Sequence, residues 1–322
     1  MHTTGVHVGG GWVVRVTIAS GVSRSSRKSL VARLLAICAA ATLLPACAVI
    51  HAEIEAAGAF GKSAATLAES VKSAYAQAPQ DEADIRAGKF LVRANNDDYY
   101  PRAGALGITT FDGRLAAAGV LSAYGQALSS LLDSKTQNAD IVAATDKLAA
   151  AVKRLPADVR GKARITDAEI VNAGKVLTVV AEAYVDFLRL EAIRSTVPAL
   201  EPTVTKLCNM FARDFDPDKP GFAQVYFNAA DRILDTAQKM GGDQAYQGRA
   251  LVLPTFQRLD AIRTKTELSF SAVRKAATSC AKSSIALRKA VEEHEISFDD
   301  IADFANKAEA AYSAIAAFKP GK

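Results

Sequence analysis

The chain has 322 residues, of which 50% are hydrophobic and 23% are charged, so its composition is that of a folding globular chain rather than of a disordered or collagen-like one. The formal net charge of +5 comes entirely from residues 1–46, which contain five of the 39 Lys and Arg residues and none of the 34 Asp and Glu residues. The rest of the chain therefore has 34 basic and 34 acidic residues, and this balance argues against a nucleic-acid-binding protein, which needs an excess of basic groups.

The N-terminal segment has the order of regions that is typical of an export signal. Basic residues are concentrated in positions 24–33, and residues 34–44 form an apolar run. This run is shorter than the roughly 20 residues that a permanent membrane-spanning helix needs. Residues 1–46 are therefore predicted to be a signal peptide, in which residues 1 to about 21 are an over-extended start.

The residues that follow the apolar run, Leu44-Pro45-Ala46-Cys47, resemble the lipobox of bacterial lipoproteins, in which leucine lies three positions before the cysteine and a small residue directly before it. The resemblance implies that Cys47 becomes the acylated N-terminus of the mature chain, carries palmitate or a similar group, and anchors the protein to a membrane. Because Ala48 is not aspartate, it further implies the outer membrane of a bacterial cell envelope, on the side that faces the periplasm. The alternative is an ordinary signal peptide that is cleaved near Ala46, with Cys47 incidental.

After Cys47 the sequence has the periodicity of helices. Apolar residues recur every three or four positions, and prolines separate the periodic segments. The first segment has a narrow stripe of mostly small residues, typical of helices that pack closely: Ile50, Ile54, Ala57, Gly61, Ala64, Ala68, Val71, Tyr75 and Ala78. Further helices are predicted over about 81–93, 111–133 and 140–155. The predicted fold class is all-α, an elongated antiparallel helical bundle with coiled-coil-like long helices.

A capping box marks the start of the next predicted helix. Thr166 is followed three residues later by Glu169, a spacing that lets each residue bond the other's backbone N–H. The helix is predicted to continue to about residue 196 and to lie near the centre of the bundle, because it is apolar over a wide arc that includes Leu177, Val180 and Phe187.

Prolines and glycines set the remaining predicted boundaries. Pro198 and Pro202 are expected to break the chain, and Gly241-Gly242 to close a helix that begins near residue 222. The last long helix is predicted to begin near Pro254 and to continue past residue 294 over roughly 60 Å, because about 40 residues rise 1.5 Å each. A final helix is predicted over 299–318. Steps of seven connect a row of positions along the long helix: Leu259, Thr266, Val273, Cys280, Leu287 and His294.

The sequence predicts one part that is removed during export and one that forms the mature protein. Residues 1–46 are the signal peptide, and residues 47–322 are a periplasmic helical bundle. The bundle is predicted to be either one body or two sub-bundles, 47–156 and 165–322.

The cysteines predict a disulfide. Cys208 and Cys280 are the two that remain after Cys47, and an exported chain folds in an oxidising compartment. We therefore expect a bond between them. The alternative is a pair of buried thiols that lie too far apart to bond.

Three aspartates in a turn are weak candidates for a metal site. Asp214, Asp216 and Asp218 are spaced like the first ligands of a calcium loop, in which alternate side chains direct oxygens at one cation. The sixth position of such a loop is here Lys219 instead of glycine, and the twelfth is Val225 instead of glutamate. The sequence therefore favours a rigid loop held by Asp caps, and no metal or cofactor is predicted.

His294 lies in the densest group of ionisable residues, beside Glu293 and close to Asp299. The only other histidine after Cys47 is His51, so neither a zinc site with several histidines nor a Ser-His-Asp arrangement has strong support. Because His294 continues the row of seven-residue steps, it is predicted to be a packed or interface histidine.

These observations favour a binding function over a catalytic one. The predicted function is that of a non-enzymatic binding or scaffold protein of the envelope, including an accessory or immunity role, with a membrane contact through the lipid anchor, a protein partner and no nucleic acid. A first alternative is a carrier of a lipid or other hydrophobic ligand in a cavity between helices, lined by Leu177, Val180 and Phe187. A second is an envelope hydrolase that uses His294 with Glu293 or Asp299.

Overall fold

The apolar periodicity of the sequence folds into helices. No strand occurs among the residues that the computed structural model describes, which are 27–93, 111–132, 138–172, 186–239, 245–293 and 298–318. The predicted all-α fold class is confirmed, and the helices pack together as a bundle.

The helices are, in chain order, α1 (Arg27–Arg93), α2 (Asp112–Leu132), α3 (Asn138–Lys153), α4 (Ala157–Ala163), α5 (Asp186–Asp214), α6 (Phe222–Lys239), α7 (Ala245–Lys265), α8 (Ser271–Glu293) and α9 (Phe298–Ala316). Residues 167–172 are also helical. One turn of π-helix, Thr266–Phe270, joins α7 to α8, so the backbone is helical from residue 245 to residue 293. The long helical run therefore begins well before Pro254, where the sequence places its start.

The chain divides into two units, Met1–Val49 and Ile50–Lys322. In the first unit, the backbone of residues 27–49 is helical. All helices from α2 onward belong to the second unit, in which α8 packs chiefly against α5 and α9. Among the described residues, no helix has both the length and the apolarity that crossing a membrane would require.

Two predicted stripes face the core. In α1 the small-residue stripe is buried from Ala57 to Ala78. Along the run from α7 to α8, the positions spaced by seven are buried as well: Leu259, Thr266, Val273, Cys280 and Leu287. Both stripes depend only on helical periodicity, which is why the sequence predicts them correctly.

Several prolines lie inside helices instead of separating them. Pro198 and Pro202 lie within α5, and Pro254 lies within α7. An interior proline removes one backbone hydrogen bond and crowds the preceding turn, at a cost of about 3 kcal/mol. In α5 this cost is offset by burial of apolar neighbours, each contributing roughly 1.5–3 kcal/mol: Val197, Leu200 and Val204. The predicted break at Pro198 and Pro202 is therefore wrong.

A pair of glycines brings α1 and α2 into backbone contact. A Cβ atom on Gly125 would lie 2.3 Å from the carbonyl oxygen of Gly61, and one on Gly61 would lie 2.8 Å from the carbonyl oxygen of Gly125. Both distances are shorter than any real Cβ contact. The small residues of the α1 stripe thus permit a close helix crossing.

The predicted capping box is confirmed at Thr166 and Glu169. The Thr166 backbone N–H donates to Oε2 of Glu169 at 2.7 Å, and the Glu169 backbone N–H donates to Oγ1 of Thr166 at 3.3 Å. The ammonium of Lys206 on α5 donates to Oε1 of Glu169 at 2.6 Å. The box therefore both starts a helix and connects that helix to α5.

A disulfide joins the two long helices at the centre of the bundle. Cys208 on α5 and Cys280 on α8 are bonded through their Sγ atoms, with their Cα atoms 5.9 Å apart. Both cysteines are fully buried. The bond fixes the separation of α5 and α8 at this level.

Candidate functional site

A surface groove with a volume of about 550 Å³ runs between the C-terminal end of α5, the 215–221 loop, α8 and α9. Eleven residues line it: Asn209, Ala212, Arg213, Asp216, Lys219, Arg274, Lys275, Thr278, Ser279, Lys282 and Lys307. Six of them are lysine or arginine, and one is acidic. We call this surface the basic groove.

The basic groove concentrates positive charge in a part of the chain that is neutral in sum. Residues 47–322 have equal numbers of basic and acidic groups, yet the groove lining has an excess of five positive charges. Clefts lined by charges of one sign attract ligands of the opposite sign. The groove is therefore a candidate site for an anion.

Two of the six cations have carboxylate partners. The guanidinium of Arg274 donates to Oδ1 of Asp216 at 3.0 Å, and the ammonium of Lys307 donates to Oδ2 of Asp303 at 2.6 Å. Asp303 also accepts a 2.6 Å hydrogen bond from the hydroxyl of Ser279. The bonds from Lys307 and Ser279 hold the pKa of Asp303 below its ordinary value, so this exposed carboxylate stays ionised at neutral pH.

The other four cations have no carboxylate within 4.0 Å among the residues described: Arg213, Lys219, Lys275 and Lys282. Arg213 donates from Nη2 to the backbone carbonyl of Lys162 at 3.0 Å, which leaves its charge uncompensated. Lys275 and Lys282 are exposed on α8 and lie seven residues apart, so they share one face of that helix. Four cations without an ion-pair partner among the described residues thus border one depression, and the charge of one of them, Lys282, also acts on Asp303.

The loop that contributes Asp216 and Lys219 is anchored by Asp214. The Asp214 carboxylate accepts hydrogen bonds from Nε of Arg114 at 2.5 Å, from Nη2 of Arg114 at 3.1 Å and from the hydroxyl of Tyr75 at 2.8 Å. Burial, followed by the charge of Asp214, raises the pKa of Tyr75 well above its usual value of 10.0. Tyr75 therefore stays protonated and donates to the carboxylate.

Close packing holds both ends of the same loop. Aromatic rings surround Phe215 at one end, and Gly221 lies against Asp214 at the other. Phe215 lies 5.3 Å from Tyr75, 5.4 Å from Phe222 and 5.1 Å from Phe270, measured between ring centroids. At the far end, a Cβ atom on Gly221 would lie 3.0 Å from Cα of Asp214. The loop is thus held against α1, α6 and the π-helical turn, and the backbone N–H of Lys219 donates to the carbonyl of Asp216 at 3.2 Å.

The aspartates proposed as weak metal ligands do not form a cation site. Asp214 is bonded to Arg114 and Tyr75, and Asp216 accepts from Arg274 and from the backbone N–H of Asp218 at 3.1 Å. No group of three or more His, Cys, Asp or Glu side chains that could hold a metal occurs in the described part of the chain. Asp216 instead closes a turn, which agrees with the predicted capped loop.

The disulfide lies directly behind the groove. Cys208 precedes the groove residue Asn209, and Cys280 follows the groove residue Ser279. The bond therefore fixes the distance between the α5 wall and the α8 wall. The sequence predicts the pair of cysteines but not its place beside a groove.

Two other residues singled out from the sequence, Glu293 and Asp299, are exposed and do not line the basic groove. The rest lie outside the described residues, entirely or in their side chains: Cys47, His51, Leu177, Val180, Phe187 and His294.

A second groove, of about 380 Å³, lies between α1, α2 and α9. Its lining includes Glu69, Glu309, Gln126 and the half-exposed ring of Tyr312, and none of its lining residues is basic. Glu69 is paired with Lys72 at 2.7 Å. The two grooves differ in sign, so the second one is a natural control for charge-dependent binding.

Sequence reasoning missed the lysines of the basic groove. The one signal for them in the sequence is the seven-residue spacing of Lys275 and Lys282, which predicts a shared helix face but not the cations that lie opposite. No protein-family model, curated protein or solved structure matches the chain.

Proposed function

We propose that the chain is a lipid-anchored protein of the bacterial cell envelope that binds an anionic envelope component in the basic groove. The observation that carries the binding half is the set of four cations without carboxylate partners: Arg213, Lys219, Lys275 and Lys282. Like charges in one depression repel each other, and an anionic ligand relieves that repulsion. The partner expected from the sequence is therefore proposed to be negatively charged.

The N-terminal sequence supports the anchoring half. Residues 24–44 have the order of a signal peptide, and Leu44-Pro45-Ala46-Cys47 resembles a lipobox. The Cys208–Cys280 disulfide is consistent with folding outside the cytoplasm, where thiols oxidise. An acylated Cys47 would place the folded unit, which begins at Ile50, directly at a membrane surface.

The chemistry of the groove lining supports binding rather than catalysis. Its one carboxylate, Asp216, is engaged by Arg274 and by the Asp218 backbone, so it is not positioned to transfer a proton. The remaining polar groups offer positive charge and hydrogen-bond donors. Such a lining attracts and orients an anion.

The anchor is tested by replacing Cys47 with alanine. We expect the wild-type protein to incorporate labelled fatty acid and to fractionate with the outer membrane. The Cys47→Ala variant should incorporate no label. Equal fatty-acid labelling of the two proteins would contradict the anchor.

The binding half is tested with an acyl-free chain, in which a cleavable secretory leader replaces residues 1–46 and Cys47 is alanine. Any association of this chain with isolated envelopes comes from the folded unit. We expect it to co-sediment with envelopes at low salt and to lose this association when Lys275 and Lys282 are both glutamine.

The matched control is the Lys62→Gln/Lys147→Gln double variant, which removes two charges from exposed positions outside the groove. It should bind envelopes as the unaltered acyl-free chain does. If both double variants lost binding equally, net charge rather than the groove would be responsible.

A further inference from the structure

We infer that the basic groove binds a ligand with two or more phosphate groups, in phosphomonoester or polyphosphate form. This rests on the proposed function only in taking the groove as a ligand site, and it does not depend on the lipid anchor. Phosphate is favoured over carboxylate by the charge of the groove, and the size of the groove favours more than one phosphate group.

The charge of the groove matches two phosphate groups. Six cations line the groove, Asp216 pairs with Arg274, and Asp303 pairs with Lys307 and also interacts with the charge of Lys282. Two carboxylates against six cations leave an excess of four positive charges. A phosphomonoester carries about 1.5 to 2 negative charges at pH 7, so two of them balance the groove. A ligand with carboxylates alone would need about twice as many acidic groups.

The donor types are compatible with phosphate. An arginine fork recognises carboxylates and phosphates alike, whereas lysine binds phosphate as a point charge. Both arginines of the groove already donate to protein oxygens, Arg274 to Asp216 and Arg213 to the carbonyl of Lys162. The cations that remain for a ligand are mainly lysines, which act as point charges with three rotatable donors and suit the tetrahedral oxygens of a phosphate.

The groove is too large for a single phosphate ion. Its volume of about 550 Å³ lies within the range of sites that hold molecules the size of a cofactor. Thr278 and Asn209 are exposed, also line the groove, and add a hydroxyl and an amide as neutral donors. A ligand with two separated phosphates spans these groups, whereas one phosphate reaches only a part of them.

The ligand class is tested by titrating the acyl-free chain, whose residues Ile50–Lys322 form one compact unit, with tripolyphosphate and with citrate. Both are small, flexible and highly charged, but citrate offers only carboxylates. We expect tripolyphosphate to bind at least tenfold more tightly than citrate. We also expect Lys275→Gln/Lys282→Gln to weaken tripolyphosphate binding at least tenfold, while Lys62→Gln/Lys147→Gln leaves it unchanged.

A second arm distinguishes a lipid headgroup from a soluble phosphate. The acyl-free chain is floated with phosphatidylcholine vesicles that contain phosphatidic acid, a lipid phosphomonoester, and with vesicles that contain phosphatidylglycerol. Preference for phosphatidic acid, with competition by tripolyphosphate, identifies the phosphate groups of a lipid. Tripolyphosphate binding without vesicle binding identifies a soluble source. Both results support the inference.

Three results would overturn the inference: equal affinity for citrate and tripolyphosphate, no binding of tripolyphosphate, or unchanged binding in the Lys275→Gln/Lys282→Gln variant. None of these results concerns the acylation of Cys47. The proposed lipid anchor is therefore tested separately, by the Cys47→Ala variant. If tripolyphosphate and citrate bound equally and both required Lys275 and Lys282, the groove would remain an anion site and only the phosphate class would fall.

Discussion

Asp214 is the residue on which the shape of the basic groove depends. Its buried carboxylate accepts hydrogen bonds from Arg114 on α2 and Tyr75 on α1, and the loop with Asp216 and Lys219 begins directly after it. A buried carboxylate needs such partners, because losing one leaves a charge without compensation. The network therefore positions the loop without being part of the ligand surface.

Substitution of Tyr75 by phenylalanine tests this network. The change removes one donor to a buried carboxylate and keeps the ring, so we expect the free energy of unfolding to fall by about 1.5–3 kcal/mol. Urea denaturation measures the loss. The control is Tyr312→Phe, whose ring is half exposed and for which a change within about 0.5 kcal/mol is expected. Equal effects of the two substitutions would contradict the role of Tyr75.

Glu169 gives a prediction for pH. Burial raises the pKa of its carboxyl, but the hydrogen bonds from Lys206 and Thr166 outweigh burial and hold the pKa below the usual 4.5. A carboxyl whose pKa is lowered on folding stabilises the folded state at pH values above its ordinary pKa. This stabilisation is lost as the pH falls through the pKa of the folded state. We expect Glu169→Gln to lower stability at pH 6 and to flatten the decline of stability below about pH 4.5.

Denaturant midpoints of wild type and variant, measured from pH 3 to pH 7, check this expectation. The control is Glu267→Gln, which alters an exposed carboxyl for which the described residues provide no ion pair. If the Glu169→Gln curve ran parallel to that of the wild type over the whole range, the carboxylate would not contribute as described.

Apart from the Cys208–Cys280 pair, residue-level contacts could be predicted from the sequence only where the partners are close along the chain. The capping box is such a case, because Thr166 and Glu169 are three residues apart and helical geometry brings them together. Asp214 is the opposite case, since Tyr75 lies 139 residues away and Arg114 lies 100 residues away. Its charge pairing is set by the packing of α1, α2 and α5, and no local pattern encodes it.

At the scale of the helices, the crossing of α1 and α2 depends on glycine. Gly125→Ala would place a Cβ atom 2.3 Å from the carbonyl oxygen of Gly61, a backbone atom that moves only if the helices separate. We expect the stability to fall by about 1–3 kcal/mol, as it does when a tight core is overpacked. Thermal or urea unfolding measures this loss.

Gly119→Ala is the matched control on the same helix. A Cβ atom there has no neighbour within 4 Å, and alanine is favoured over glycine in a helix interior by about 0.5–1 kcal/mol. The two substitutions are chemically identical and should therefore shift stability in opposite directions. A stabilising Gly125→Ala would contradict the close crossing.

Helix faces could be predicted from the sequence, and so could the approximate ends of α2, α3 and α9, whereas the boundaries assigned to Pro198, Pro202 and Pro254 could not. The seven-residue steps from Leu259 to Leu287 are buried as expected, because periodicity follows from helical geometry alone. The ends depend on a balance between the local cost of proline and the tertiary gain from burying its neighbours. At Pro198 the neighbours Val197 and Leu200 are buried, and α5 continues through the proline. The helix α7 also continues through Pro254, and nothing described at that position explains it.

At the scale of the whole molecule, net charge and charge distribution have different meanings. The excess of five charges lies in residues 1–46, where it is typical of an export signal. The remainder is neutral in sum, yet α5, the 215–221 loop, α8 and α9 bring six cations together at one groove. Summed charge along a sequence excludes a generally basic surface, but it cannot exclude a local one, because only folding brings distant residues together.

We propose that the protein binds its partner in the cell through the basic groove, and photo-crosslinking in intact cells probes that surface in place. A benzophenone amino acid replaces Thr278 in the basic groove or, as control, Gln126 in the second groove, and intact cells are irradiated. We expect an adduct from position 278 that disappears when Lys275 and Lys282 are glutamine, and a much lower yield from position 126. An adduct from position 278 that persists in the charge variant, or equal yields from the two positions, would contradict it.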